Sequence, residues 1–202
     1  GKNWFISALN DAYLNVAKTE NNPNEYINHS GGAYGGDTFW DIIGREFGVT
    51  KHMHYKDAGN ANLSQKLRNA GVKATILTKE QMDNARTQVE KLLGEKYPDT
   101  LQGNLQVRNY YQVANADAVY AVAQLADDKG KAIKNYLYPT IKGVTGGTNT
   151  AVQLAIKLNK PVYVWDLGLK TWFKWNGKYF TATDTPTLTK NFAGIGSRDI
   201  ES

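Results

Sequence analysis

Tyr26-Ile27-Asn28-His29-Ser30-Gly31-Gly32-Ala33-Tyr34-Gly35-Gly36-Asp37 is the stretch on which the fold turns. Its first five residues read as a short strand. The glycines follow at once, and residues 38–47 then read as a helix. Strand, glycine loop, helix is the order that cradles a phosphate. Glycine permits positive φ and lets a ligand approach the backbone, and the first amides of the helix point at an anion.

Two further segments have the same character. Val144-Thr145-Gly146-Gly147-Thr148-Asn149-Thr150 opens a helix read over residues 151–158. Phe192-Ala193-Gly194-Ile195-Gly196-Ser197-Arg198-Asp199 is an apolar strand running into a glycine turn and an arginine. In an open parallel sheet, ligands bind outside the carboxyl ends of the strands. Strands ending at Ser30, near Ala123 and Gly143, and at Ala193 are therefore expected in one sheet, with Gly32, Gly147 and Gly196 on one edge.

The rest of the chain fits that plan. Helices are expected over residues 4–17, 63–70, 79–93 and 105–114, with a loop over 96–104 that contains Pro98 and Gly103. His52-Met53-His54-Tyr55 reads as a strand. Ala118-Val119-Tyr120-Ala121-Val122-Ala123 is apolar throughout, as buried parallel strands are. Pro161 to Asp166 is a further strand. Asn176-Gly177, between Trp172-Phe173-Lys174-Trp175 and Lys178-Tyr179-Phe180, signals a tight hairpin. Alternating strands and helices imply an α/β fold with a Rossmann-like, mostly parallel sheet, helices on both faces and a β-hairpin near the C-terminus. No linker or repeat interrupts the 202 residues, so one domain is expected.

Composition sets bounds on function. The chain has no cysteine, which excludes disulfides, a cysteine nucleophile and thiolate metal sites. No stretch approaches the roughly 18 apolar residues of a membrane span, and the charged, amphipathic start is unlike a signal peptide. A cytoplasmic protein is expected. The formal charge of +5 suits an anionic small ligand. The lysines are scattered, with no basic run of the kind that marks a nucleic-acid arm. His52 and His54 alternate on one face of a strand but lack a third ligand at diagnostic spacing, so no metal is expected. Neither a Walker loop nor a Gly-x-Ser-x-Gly elbow is present.

These segments resemble the SLOG superfamily, which includes the DNA-processing protein A fold, the lonely-guy phosphoribohydrolases and small phage and bacterial nucleotide-binding proteins. The loop from Gly31 to Asp37 resembles its Gly-Gly-Ala-x-Gly-x-Asp signature. Gly146-Gly147-Thr148-Asn149-Thr150-Ala151-Val152-Gln153 resembles its Gly-Gly-x-Gly-Thr-x-x-Glu signature. Gly194-Ile195-Gly196-Ser197-Arg198 resembles the turn after the family's first strand, so the chain reads as circularly permuted. Gln153 stands where the lonely-guy enzymes carry a catalytic Glu, and Asn149 replaces a glycine. Glutamine cannot act as a carboxylate base.

The resemblance implies a protein that binds, and sequesters, a nucleotide or ADP-ribose-derived signal, as phage counter-defence proteins do. It implies no further cofactor and a homo-oligomer. The alternatives are a nucleoside or nucleotide N-glycosidase or transferase, and a single-stranded DNA binder. The expected ligand-binding residues are Gly31, Gly32, Ala33, Tyr34, Gly35, Asp37, Gly146, Gly147, Thr148, Asn149, Thr150, Gly194, Gly196, Ser197, Arg198 and Asp166; no catalytic residue is assigned. Asp37 is either an N-cap or a ribose ligand. Tyr34 is positioned to stack on a base, Arg198 to clamp a phosphate, and Asp166 to lie on the pocket rim.

Overall fold

A computed structural model describes residues 2–32, 36–57, 62–133 and 140–197. Helix α1 (Lys2–Ala17) leads into strand β1 (Ile27–Ser30), α2 (Gly36–Glu46) and β2 (Lys51–Lys56). Then come α3 (Gln65–Asn69), β3 (Val72–Ile76), α4 (Lys79–Leu93), α5 (Leu101–Val107) and α6 (Asn109–Ala114). The second half holds β4 (Ala118–Ala123), the short β5 (Leu125–Ala126) and β6 (Gly143–Val144), and α7 (Thr148–Lys157). Last come β7 (Val162–Asp166), β8 (Thr171–Trp175), β9 (Phe180–Thr183) and β10 (Asn191–Gly196).

Eight strands form one sheet in the order β3-β2-β1-β10-β4-β7-β8-β9. The first six run parallel, and β8 and β9 add an antiparallel hairpin. This is the α/β, Rossmann-like architecture that the alternation of elements implies. The chain winds outward from β1 to β3 and then outward the other way from β4, which creates a crevice at the carboxyl ends of the central strands. β10 fills the middle, with Ile27 beside Asn191 on one side and Phe192 beside Ala118 on the other.

Both faces of the sheet are covered. Ala118, Tyr120 and Val122 of β4 point into one core with Phe5, Leu9 and Tyr13 of α1 and Trp40 of α2. Val119, Ala121 and Ala123 point into the other, with Val89 of α4, Val113 of α6 and Val152 of α7. A strand with both faces covered has no polar side to show, hence its continuous apolar run.

Three sequence expectations shift. The central strands share one sheet, but Gly143 belongs to a separate two-stranded ribbon, β5–β6. The loop expected over 96–104 gives way to α5 at Leu101, because Thr100 caps the helix through Gly103 N at 3.1 Å. β3 adds a strand to those expected and pairs with β2 at the sheet edge. Among the described residues, no helix is long and apolar enough to cross a membrane.

Candidate functional site

The glycine segments meet. Gly31 and Gly32 after β1, Gly146, Gly147 and Thr148 at the start of α7, and Gly196 and Ser197 at the end of β10 line one cavity of about 650 Å³. Gly32 has φ +69°, and a Cβ there would stand 2.5 Å from His54 Nδ1 and 2.6 Å from Lys56 Nζ. Only glycine fits both the conformation and the space. Gly196 and Gly36 let β10 and α2 touch backbone to backbone, since a Cβ on Gly36 would lie 2.3 Å from Gly196 C.

Asp37 lines the same cavity but is not an N-cap. It sits within the first turn of α2, where the helix dipole favours an acid. Its Oδ1 accepts from Gly196 N at 3.0 Å, tying the end of β10 to the start of α2.

Four other expected residues lie elsewhere, each for a visible reason. Asp166 is fully buried rather than on a rim, and its carboxylate accepts from Leu125 N at 2.9 Å and Leu169 N at 2.8 Å. Gly194 makes room for the Trp40 ring, whose Nε1 donates to Ile195 O at 2.9 Å. Asn149 turns its side chain back to accept from Val144 N at 3.2 Å and from Gln153 Nε2 at 3.0 Å. The amides of Asn149 and Thr150 already donate within the turn, to Gly146 O and Gly147 O, both at 3.2 Å. Ala33, Tyr34, Gly35 and Arg198 lie outside the described residues.

Gln153 also has a structural post. Its Nε2 donates to Lys142 O at 2.8 Å as well as to Asn149, pinning β6 to α7.

The cavity's positive charge comes from two residues that the glycine pattern does not reveal. Lys56 ends β2, and Arg108 joins α5 to α6; both line the cavity, with only 8% and 5% of their surfaces exposed. Burial, then the neighbouring Arg108 charge, lowers the Lys56 pKa; Asp37, Asp41 and Asp57 oppose this in part. Burial lowers Arg108 likewise, against Asp37 and Asp57. No described carboxylate forms an ion pair with either. Lys56 Nζ donates to Gly32 O at 3.3 Å, while Arg108 Nε and Nη1 have no hydrogen-bond partner. Both residues left faint marks in the sequence. Lys56 continues the alternation of His52 and His54, and Arg108 is the one charged residue between Thr100 and Ala116.

Behind this site lies a polar cluster centred on a buried carboxylate, in which His54 Nδ1 alone among the histidine nitrogens has no hydrogen-bond partner. Asp41 of α2 takes His54 Nε2 at 2.7 Å and His52 Nδ1 at 3.2 Å, and Asn28 Nδ2 donates to it at 3.3 Å. His52 Nε2 meets Val49 O at 2.9 Å. Burial pushes the Asp41 carboxyl up, but the two histidines outweigh it and hold its pKa below the ordinary value. His29 is likewise engaged on both nitrogens, by Tyr55 Oη and Asn191 Oδ1, each at 2.9 Å. No group of three or more acidic or histidine side chains among the described residues is arranged to hold a metal.

No family model, curated protein or solved structure matches the chain significantly.

Proposed function

We propose that this chain binds a nucleotide or ADP-ribose-type molecule in the cavity at the carboxyl edge of its sheet, and that it holds the molecule rather than transforming it. The observation that carries the reading is two buried cations, Lys56 and Arg108, turned into a glycine-lined cavity with no carboxylate of the described residues ion-paired to either. Burying a charge without a partner is costly. A phosphate would supply the missing charge, and Arg108 can meet it with two parallel hydrogen bonds. The close backbone approach at Gly31 and Gly32 and the start of α7 suit a phosphorylated ligand too. The likeness of the three glycine segments to SLOG signatures supports the same class and suggests a signal-sequestering role of the phage counter-defence type.

The enzyme reading keeps one foothold. Asp37 is a carboxylate at the cavity beside Arg108. Its Oδ1 already accepts from Gly196 N, and Gln153 is committed to Lys142 and Asn149. Neither is placed as a free general base. Mass spectrometry of small molecules released from the purified protein tests the two readings together. An intact nucleotide-type molecule is expected. Free base released from added nucleotides, and lost in Asp37→Asn, would overturn the binding reading in favour of an N-glycosidase.

A further inference from the structure

The cavity has a wall that the cations do not use. Gln102, Gln106, Asn109 and Gln112 fall at i, i+4, i+7 and i+10 along α5 and α6, the spacing of one helical face. The first three line the cavity. Gln106 reaches across to α7, where its Nε2 lies 3.1 Å from the point at which a Cβ on Gly147 would stand. Its Oε1 accepts a long 3.5 Å hydrogen bond from Asn109 Nδ2.

Gln112 is fully buried, and neither its Oε1 nor its Nε2 has a hydrogen-bond partner. Its Oε1 stands 3.3 Å from where a Cβ on Gly31 would lie, so the amide faces the glycine loop. A buried donor and acceptor left unmade are destabilising. Gln112 is the unmet amide of the row, and Gln102, Gln106 and Asn109 present theirs to the cavity, where a ligand can engage them.

The geometry narrows the ligand's chemistry. A primary amide offers a donor and an acceptor side by side. The cognate surface is a planar edge with the same pair reversed, as when Asn or Gln meets adenine. Leu105 and Ala151 supply apolar surface beside the row. Gln102 precedes Arg108 by about 9 Å of helix, at 1.5 Å per residue, comparable to the reach from phosphate to base in a nucleotide.

We infer that the amide row reads the hydrogen-bonding edge of a nucleobase, so that the ligand lies along α5 and α6 with its phosphate at Arg108 and its base toward Gln102. This rests on the reading of Lys56 and Arg108 as the phosphate site.

Calorimetric titration with the four ribonucleoside 5′-monophosphates and with ribose 5-phosphate tests it. At least one nucleotide should bind tenfold or more tightly than the sugar phosphate. In Gln102→Leu/Gln106→Leu that advantage should fall to about threefold or less, the loss of roughly one good hydrogen bond, with ribose 5-phosphate binding unchanged. Gln102→Leu alone, on the exposed rim, serves if the double variant misfolds by circular dichroism. Equal binding of all five ligands to the unaltered protein would overturn the inference and leave the phosphate site standing. So would a variant that weakens ribose 5-phosphate as much as the nucleotide. Failure of all five to bind would overturn both.

Discussion

β2 carries two buried polar arrangements on one face, and they are opposites. His52 and His54 gather around Asp41 with Asn28 from neighbouring elements, so each histidine has the buried carboxylate as an internal partner, although His54 Nδ1 has no hydrogen bond. Two residues on, Lys56 is almost as buried; its one hydrogen bond among the described residues is to the Gly32 carbonyl, Arg108 repels it, and Asp37, Asp41 and Asp57 attract it from beyond ion-pair distance. The same strand thus supplies two histidines that share an internal carboxylate and a lysine with no described carboxylate in ion-pair reach. A buried group whose partners all lie within the fold contributes to stability. A buried cation without a carboxylate in ion-pair reach costs free energy in the unliganded fold, and the proposed ligand would offset that cost.

Four measurements bear on that contrast. The largest effect is expected from Asp41→Ala, which strands His52, His54 and Asn28 in the interior. Urea denaturation should show a loss of about 3–5 kcal/mol. A small loss would mean that the histidine cluster is not the structural element described.

Arg108→Gln should behave the other way. Affinity for a phosphorylated ligand such as ribose 5-phosphate should fall about tenfold to a hundredfold, the worth of a charged hydrogen bond or two. The denaturation midpoint should barely move, because no hydrogen bond or ion pair among the described residues is lost and the relief of burying the charge offsets the weaker attraction to Asp37 and Asp57. A destabilised variant with unchanged affinity would place Arg108 among the structural residues.

Lys56→Met should weaken the same ligand severalfold while stabilising the unliganded protein by about 1 kcal/mol, since it removes an unpaired buried cation. Thermal unfolding with and without ligand reads both effects. A less stable variant would show that Lys56 holds the Gly32 loop in place.

The smallest effect is in pH. The Lys56 pKa is held below its ordinary 10.5 by burial and then by Arg108. Between the lowered value and 10.5, the unfolded chain binds a proton that the folded chain does not, so unliganded stability should rise with pH across that window. A bound anion favours the charged amine, so affinity should fall across the same window. A phosphate monoester is already fully ionised there, with its second pKa near about 6. Lys56→Met should flatten both slopes, and a slope that persists in the variant would assign the titration elsewhere.

The framework was legible because several of its signals are local. The apolar run of β4 from Ala118 to Ala123, the Asn176-Gly177 turn and the glycine loops after β1 and before α7 each carry their own cause. β3 was harder to see, because Val72-Lys73-Ala74-Thr75-Ile76 is an edge strand with a half-polar, half-exposed pattern. α5 was masked by Pro98 and Gly103, which look like breakers. Gly103 is in fact needed inside the helix, where a Cβ would lie 1.9 Å from Pro98 O.

At the site, the glycines that meet at the cavity could be read from sequence, but Lys56, Arg108 and the glutamines could not be ranked. A lysine at the end of a strand and an arginine between two short helices look like solvated surface until their burial is known. Asp166 failed in the opposite direction. A carboxylate at a strand end resembles a ligand residue, and its two backbone partners, Leu125 and Leu169, become visible only when the chain is folded around it.

β10 has a consequence for how the molecule is made. The strand in the middle of the sheet is supplied by residues 191–196, while its neighbours come from residues 27–30 and 118–123. A ribosome delivers those neighbours long before the strand that joins them. Until then β1 and β4 each expose an unpaired edge, and the two halves of the cavity have nothing to align them. Contacts this distant along the chain form slowly, and open edges invite pairing with other chains. The cavity and the closed sheet therefore arise in one late step, when β10 slots between two strands that have been waiting for it.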